Sequence, residues 1–447
     1  MSDIHASIYR NLRYFWHGGF ETHKHLRELK KMQWLSPEEM EKWHLKKIQH
    51  IVKYAYDNVP FYRERYERED IHPEDIKSLK DFQALPFVTK EDVNNNREKM
   101  VAPQMRTKAF INMTGGSTGE SMRFYIDNSF WWWNAALEIR CRGWYGVQEG
   151  DKLAWCWGDS RDMYDWNWKR RFKAFITQQK YLNAYSLTEE KMKSFGEMLV
   201  KWRPIMMRVY VSALALFARY LKDRGIFDIR PKLIECTAEK ITVYQRELFE
   251  EVFGCSIADC YTGREFGTIA YECEKGRLHV CETRFPEIIV KGKAAQPGEM
   301  GEVALTSLSQ YTMPFIRYKN DDMAIIDPEQ CPCGRGTPVF KEIVGRIMDF
   351  LVSSEGQYIH SGYLMLVFNT KPEVVRFQAY QPDKRHLDIQ VVCKETVTEA
   401  WIDEVKAEIQ SHFGRDIHVT IAIVNHIELT RAGKHRFVIS DVKPDFL

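Results

Sequence analysis

Apolar residues at helical spacing dominate the first hundred positions. Leu45, Ile48, Ile51, Val52, Tyr54 and Ala55 recur on one helix face, opened by Pro37-Glu38-Glu39 and ended by the turn Asn58-Val59-Pro60. The period then changes. Ala109-Phe110-Ile111 and Met122 to Ile126 read as short strands around a run of small and hydroxyl residues, Thr114-Gly115-Gly116-Ser117-Thr118-Gly119-Glu120, which predicts a polar hairpin. An aromatic-dense stretch follows, from Phe130 to Trp133 and on to Trp144, Tyr145, Trp155 and Trp157, with core packing as the expected use of these large apolar faces. From Thr188 helix and strand alternate: a helix to Lys201, a strand Ile205 to Val211, a helix Ala213 to Lys222, a strand Lys232 to Cys236, a helix through Ile241, Leu248, Phe249 and Val252 capped by Gly254, and a strand Ser256 to Cys260. This βαβαβ order predicts an α/β fold with a largely parallel sheet.

After Gly345-Arg346 a new set of elements begins: strands Val374 to Tyr380, Leu387 to Cys393 and Ile417 to Val424, with a helix near Thr398 to Phe413. They predict a small α+β domain joined through a hinge around Asp349 to Ser354. The expected organisation is a mainly helical segment 1–100, the remainder of a large domain 101–348, and a mobile C-terminal domain 349–447.

Composition narrows the function classes. With 447 residues, 44% hydrophobic and 28% charged, the chain is a globular protein of two or three units. Its 64 basic and 62 acidic residues give a net charge of +2, which argues against nucleic acid or an anionic membrane as partner. There is no apolar run long enough to span a bilayer and no secretory leader pattern near Asp3, His5 and Arg10, so a cytoplasmic protein is expected. Ten cysteines over this length are too few for a disulfide scaffold.

Candidate chemistry collects at strand ends. Ligands of parallel sheets sit beyond the C-terminal ends of the strands, which puts Thr237-Ala238-Glu239 and Tyr261-Thr262-Gly263-Arg264-Glu265 at the mouth of a crevice. Glycine amides and hydroxyls of Thr114 to Gly119 suit phosphate oxygens, although no lysine follows Gly119 as in the common nucleotide loop. Cys331-Pro332-Cys333-Gly334 presents two thiols at a tight turn, with Cys273 and His279 upstream; four such donors suit tetrahedral Zn²⁺. Cys281 competes as a ligand, and two reduced cysteine pairs are the alternative.

These stretches, taken with Arg317 to Asp322, Gly345-Arg346 and Lys434, resemble in order and interval the adenylate-forming enzymes. The resemblance is to the branch of phenylacetate-CoA ligase and its capsule-biosynthesis, CapK-like relatives; the passage from Tyr54 through Val59-Pro60-Phe61-Tyr62 to Leu85-Pro86-Phe87 and Thr89-Lys90 resembles that branch's N-terminal region. The resemblance implies ATP-dependent activation of a small-molecule or sugar-linked carboxylic acid as acyl-adenylate, followed by transfer to a nucleophile, coenzyme A by default. It implies that Thr114, Gly115, Gly116, Ser117, Thr118 and Gly119 hold the phosphates, with Thr237, Ala238 and Glu239 nearby. Tyr261 would lie against adenine, Glu265 would bind Mg²⁺, Asp322 would accept the ribose hydroxyls, and Arg346 would assist at ribose or phosphate. Lys434 would be the mobile lysine reaching carboxylate and α-phosphate, and Cys273, His279, Cys331 and Cys333 would hold a structural zinc. Enzymes of this branch often dimerise.

The sequence departs from the family pattern at Arg264, where Ser or Thr usually precedes the metal-binding glutamate. It departs also at Thr262 and Asp321, which replace glycines, and at Glu120-Ser121. Arg264 could pair with phosphate or with a substrate carboxylate. Two alternatives stay open beside the CoA ligase: transfer of the acyl group to an amine or hydroxyl of a surface-sugar precursor, and a catalytically silent nucleotide-binding relative. For single residues a plain structural role competes, with Glu265 and Asp322 as ion-pair partners of Arg264 and Arg317.

Overall fold

The computed structural model describes residues 19–114, 122–157, 177–184, 188–346, 350–355, 358–360, 362–369, 371–414, 416–428 and 436–442. Its centre is a sheet of twelve strands. In spatial order these are Lys293–Ala294, Arg284–Val290, Met300–Ser307, Tyr318–Asp327, Val339–Arg346, Leu278–Val280, Gly267–Glu272, Ser256–Gly263, Leu233–Thr237, Met206–Tyr210, Leu153–Trp157 and Gln179–Asn183.

The strands from Gln179–Asn183 to Ser256–Gly263 are parallel neighbours, as the alternating pattern predicts. Ser256–Gly263 then pairs antiparallel with Gly267–Glu272, and every later pairing in this sheet is antiparallel. The antiparallel half lacks the long crossover helices that announce themselves in a sequence, so it was not legible as a set of strands.

Local signals at the element ends are physical caps. Ser36 and Glu39 form a capping box ahead of helix Pro37–Asn58, with Pro37 in its first turn, and Pro60 then opens a second helix, Pro60–Arg68. Gly254 closes helix Val243–Phe253 in the left-handed conformation. The hairpin strands Phe110–Met113 and Arg123–Ile126 pair antiparallel around the glycine-rich run, whose residues 115–121 lie outside the described set. The aromatic stretch beginning at Phe130 belongs to a helix, Asn128–Gly143, capped by Asp127. Phe130 is buried as expected, but Trp131 is 50% exposed and Trp133 stacks on His25, so the stripe is only partly core.

The N-terminal helices share one core with the antiparallel strands, from Ile48, Val52 and Tyr62 to Phe285, Leu305 and Phe340. Leu85-Pro86-Phe87 acts in this packing. The Arg317 guanidinium donates to the Leu85 carbonyl and lies 4.0 Å from the Phe87 ring centroid, and Val88 forms a parallel bridge with Tyr318. A second core fills the parallel half, around Val209, Phe217, Ile234 and Phe249. A third, from Leu351 to Val438, lies wholly in the C-terminal elements. There Val374–Asp383, His386–Cys393, His418–Ile423 and Val438–Ser440 make a four-stranded sheet accompanied by helix Glu399–Phe413. Among the described residues no helix is long and apolar enough to cross a membrane.

Candidate active site

Strands Met206–Tyr210 and Leu233–Thr237 end level with Cys260 of strand Ser256–Gly263, Tyr210, Thr237 and Cys260 being successive register partners across the sheet. The chain beyond each end supplies the candidate residues. Thr237 is buried, and its hydroxyl lies 2.9 Å from that of Thr262, so the residue replacing a family glycine finds a partner at once. Ala238 adopts a left-handed φ of 70°, which turns the chain sharply at the crevice mouth. Glu239 accepts hydrogen bonds from the Ser212 amide at 2.6 Å and the Ser212 hydroxyl at 2.9 Å. Helix Val211–Asp223 has no side-chain cap of its own at Tyr210, and the Glu239 carboxylate meets its positive end instead.

Tyr261 and Asp322 come from strands far apart in sequence and meet directly. The Tyr261 hydroxyl donates to Asp322 Oδ2 at 2.5 Å, while Asn320 Nδ2 donates to the same oxygen at 2.8 Å and to the Tyr261 hydroxyl at 2.6 Å. Asn320 is the residue the sequence reading missed. Its signal was its position two residues before Asp322, where its Oδ1 accepts from the Asp322 amide at 3.3 Å in a local turn. Asp321 between them has a left-handed φ of 64°; this explains why glycine suits that position, and aspartate is among the side chains that tolerate it. Arg346 is the register partner of Asp322 across the antiparallel ladder.

The structure separates Asp322 from Arg317, the ion-pair partner named for it in the structural alternative. Arg317 is buried and pairs bidentately with Glu287, both contacts at 3.0 Å. The turn carrying Arg264 and Glu265 joins strands Ser256–Gly263 and Gly267–Glu272. Burial lowers the pKa of the Arg264 guanidinium, and the neighbouring Glu265 carboxylate opposes that shift. The Arg264 carbonyl accepts from Asn112 Nδ2 at 3.4 Å, so this turn touches the strand that leads into the glycine-rich run. At the base of that run Thr114 closes the hairpin, its amide donating to the Met122 carbonyl and its hydroxyl accepting from the Met122 amide, each at 2.9 Å. Gly115, Gly116, Ser117, Thr118, Gly119 and Lys434 lie outside the described residues.

Cys273, His279, Cys331 and Cys333 form a separate cluster, their ligand atoms all within 4.8 Å of one another. Cys273 Sγ is 3.7 Å from Cys331 Sγ, and Cys333 Sγ is 3.2 Å from His279 Nε2. Such spacings fit the edges of a tetrahedron with bonds of about 2.0–2.3 Å, the dimensions of a zinc site. His279 Nδ1 meets the Thr337 hydroxyl at 3.0 Å, which orients the ring and leaves Nε2 toward the thiols. Burial brings the His279 pKa down to about 4, keeping the imidazole in its neutral, ligand-competent form. Cys281 is not one of this group and meets the buried Cys141 thiol instead. The turn also grips the N-terminal helices: a Cβ on Gly336 would lie 1.9 Å from the Leu35 carbonyl oxygen, and the Arg335 guanidinium sits 5.2 Å from the Trp34 ring and 4.1 Å from that of Trp144.

Comparison with known proteins identifies the fold and the relatives of the chain. A solved structure of 2-hydroxyisobutyryl-CoA ligase in the postadenylation state, in complex with 2-HIB-AMP, superposes with a TM-score of 0.74 at 20% identity, covering 92% of each chain. The fold is that of the adenylate-forming CoA ligases. Residues 351–441 match the family described as the CapK C-terminal domain. Protein CapK of Staphylococcus aureus is 26% identical over 452 residues, spanning 99% of this chain and 96% of the relative. Phenylacetate-coenzyme A ligase of Pseudomonas putida is 26% identical over 334 residues, 72% of this chain and 74% of the relative. The chain thus has its homologues in the phenylacetate-CoA ligase-like and CapK-like branch that its motif order resembles.

Proposed function

We propose that the chain is an ATP-dependent carboxylate ligase. A carboxylate attacks the α-phosphorus of ATP, giving acyl-adenylate and pyrophosphate, and a nucleophile, coenzyme A in the first instance, then displaces AMP. The fold and the phenylacetate-CoA ligase relatives support an AMP-forming ligase. The observation that carries the reading to this chain's own residues is the hydrogen bonding of Tyr261, on the same stretch as Glu265, with Asn320 and Asp322 of strand Tyr318–Asp327.

In this reading the Asp322 carboxylate accepts the ribose hydroxyls, with Tyr261 and Asn320 fixing its orientation, and the Tyr261 ring lies against adenine. Thr114 to Gly119 hold the β- and γ-phosphates with amides and hydroxyls, and Arg346 assists. Glu265 would hold Mg²⁺, which when bound offsets phosphate charge during attack. Lys434 adds a cation between carboxylate and α-phosphate, where the two anions must meet. Arg264 presents a planar donor fork beside Glu265, suited to phosphate or to the incoming carboxylate. Cys273, His279, Cys331 and Cys333 would hold Zn²⁺ as a structural clasp with no position open for catalysis. Ten free thiols suit a reducing, cytoplasmic setting.

Similarity to Protein CapK over 99% of the chain favours a second reading for the acceptor: an amine or hydroxyl on a surface-polysaccharide precursor in place of CoA. Pyrophosphate release over a panel of carboxylic acids, each with and without CoA, separates the readings. An acyl-CoA product supports the first, release without a CoA-dependent product supports the second, and nucleotide binding without release from any acid leaves a silent relative.

A further inference from the structure

The turn that carries Arg264 and Glu265 rests on two buried polar side chains that no motif includes. Arg284 is 1% exposed and Asn134 is 6% exposed. Other buried arginines here have carboxylate partners: Arg140 pairs with Glu282 at 2.7 Å, Arg208 with Glu138 at 2.7 Å, and Arg317 with Glu287 at 3.0 Å. Arg284 is different. Its Nη1 donates to the Thr283 carbonyl at 3.1 Å, the Thr283 hydroxyl at 2.9 Å and the Ser309 hydroxyl at 3.1 Å; its Nη2 donates to the Phe266 carbonyl and to Asn134 Oδ1, the latter at 3.4 Å. Among the described residues no carboxylate pairs with it, and its Nε has no acceptor. A buried cation with no counter-charge is costly, and an apolar side chain of similar size would fill the same space more cheaply.

What the guanidinium grips gives it a use. Phe266 follows Glu265 directly, and the next residue, Gly267, has a left-handed φ of 69°. Asn134 Oδ1 accepts from the Thr268 amide at 2.9 Å while Asn134 Nδ2 donates to the Phe130 carbonyl at 2.8 Å. Arg284 and Asn134 therefore hold the peptide groups on both sides of Gly267. A Cβ there would lie 1.9 Å from Asn134 Oδ1, so the contact is closed to any larger residue. The clamp fixes the end of the turn one residue from the Glu265 side chain, and it ties that turn to helix Asn128–Gly143 and strand Arg284–Val290.

We propose that Arg284, acting with Asn134, is a positioning residue for Glu265: it holds the turn so that the carboxylate meets the metal of a bound nucleotide. This rests on the ligase reading, in which Glu265 holds Mg²⁺. Outer groups that orient a metal ligand contribute roughly ten- to a hundredfold to metal-dependent binding.

The test is calorimetric, on the full chain and without any acid substrate: affinity for ATP with Mg²⁺, for ATP in chelator, and for AMP, with melting temperature measured alongside. In Arg284→Met the gain in ATP affinity from Mg²⁺ should shrink about tenfold or more, while AMP affinity, which depends on Tyr261 and Asp322, stays within about twofold. Arg284→Lys, which can still donate to Phe266 and Asn134, should recover most of the gain. A gain fully retained in Arg284→Met overturns the positioning role and leaves the ligase reading intact. Parallel loss of AMP and ATP affinity with a falling melting temperature also overturns it, since that is what a merely structural role predicts. Should Arg284→Met fail to fold, Asn134→Ala carries the same comparison with the same expected direction. Wild-type protein that binds neither nucleotide, or gains nothing from Mg²⁺, overturns the reading of Glu265 itself.

Discussion

Asp322→Asn is the sharpest probe of the proposed nucleotide site, because it changes charge while keeping shape. In the structure Asp322 Oδ2 already accepts from Tyr261 at 2.5 Å and from Asn320 at 2.8 Å, so the side chain is held before any ligand arrives. A ribose binding there would form charge-assisted hydrogen bonds, each about 1.5–3 kcal/mol, against about 0.5–1.5 kcal/mol for neutral ones. The asparagine must also turn its oxygen toward Tyr261 and Asn320, which presents its amide nitrogen to the ribose in place of an acceptor. Losing the charge from one such bond costs about 1–2 kcal/mol, and two bonds double it, so AMP affinity should fall roughly tenfold to several hundredfold. Calorimetric titration with AMP and its 2′- and 3′-deoxy forms measures this without knowledge of the acid. Wild-type protein should prefer AMP over both deoxy forms, and Asp322→Asn should lose that preference along with the affinity. Equal AMP affinity in the two proteins would refute the assignment, and so would an affinity loss that leaves the preference unchanged.

The proposed zinc clasp predicts about one equivalent of zinc per chain in protein purified without added metal. Changing Cys331 and Cys333 together to serine should bring it below about a third of an equivalent and lower the melting temperature, because binding free energy at a structural site is folding free energy. Lys434→Ala should slow adenylate formation about a hundredfold or more yet leave transfer from a chemically prepared acyl-adenylate near normal, the signature of a cation used in one half-reaction only; equal losses in both would argue for one fixed posture. Burial and the nearby Glu272 carboxylate push the Asp259 pKa up to about 7, so the folded state holds a proton that the unfolded chain releases near pH 4. The sign follows: this group favours folding at low pH and ceases to do so as pH rises toward 7, and Asp259→Asn should flatten that part of the stability curve in urea unfolding at pH 5 and pH 8.

How far the sequence reached depended on whether a feature was local. Prolines in first helical turns, glycine caps and βαβ alternation are written along continuous stretches of chain, so Pro37 and Gly254 could be read directly as element ends. The antiparallel half escaped because its strands follow one another through turns, with no crossover helices to mark them. The helix Asn128–Gly143 escaped because four consecutive aromatics hide a period of 3.6. The site divides the same way. Tyr261, Glu265 and Asp322 stood out through the order of their motifs, but Asn320 acquires its role only when Tyr261 comes within 2.6 Å of it.

The departures from the family pattern show why such third-dimension information bears on function. Asp321 keeps the left-handed backbone that glycine adopts without penalty, and Thr262 meets the Thr237 hydroxyl, so neither replacement disturbs the frame around Asp322. Arg264 changes the charge of the turn itself. A half-buried guanidinium beside Glu265 adds charge to the turn, and the buried Arg284 beneath that turn adds a second cation with no carboxylate partner among the described residues. The planar fork of Arg264 suits a nucleotide phosphate or an acid carboxylate. Substrate choice is therefore expected to reside in this turn: Arg264→Ser, which restores the hydroxyl usual in the family, should change which acids release pyrophosphate more than it changes affinity for AMP.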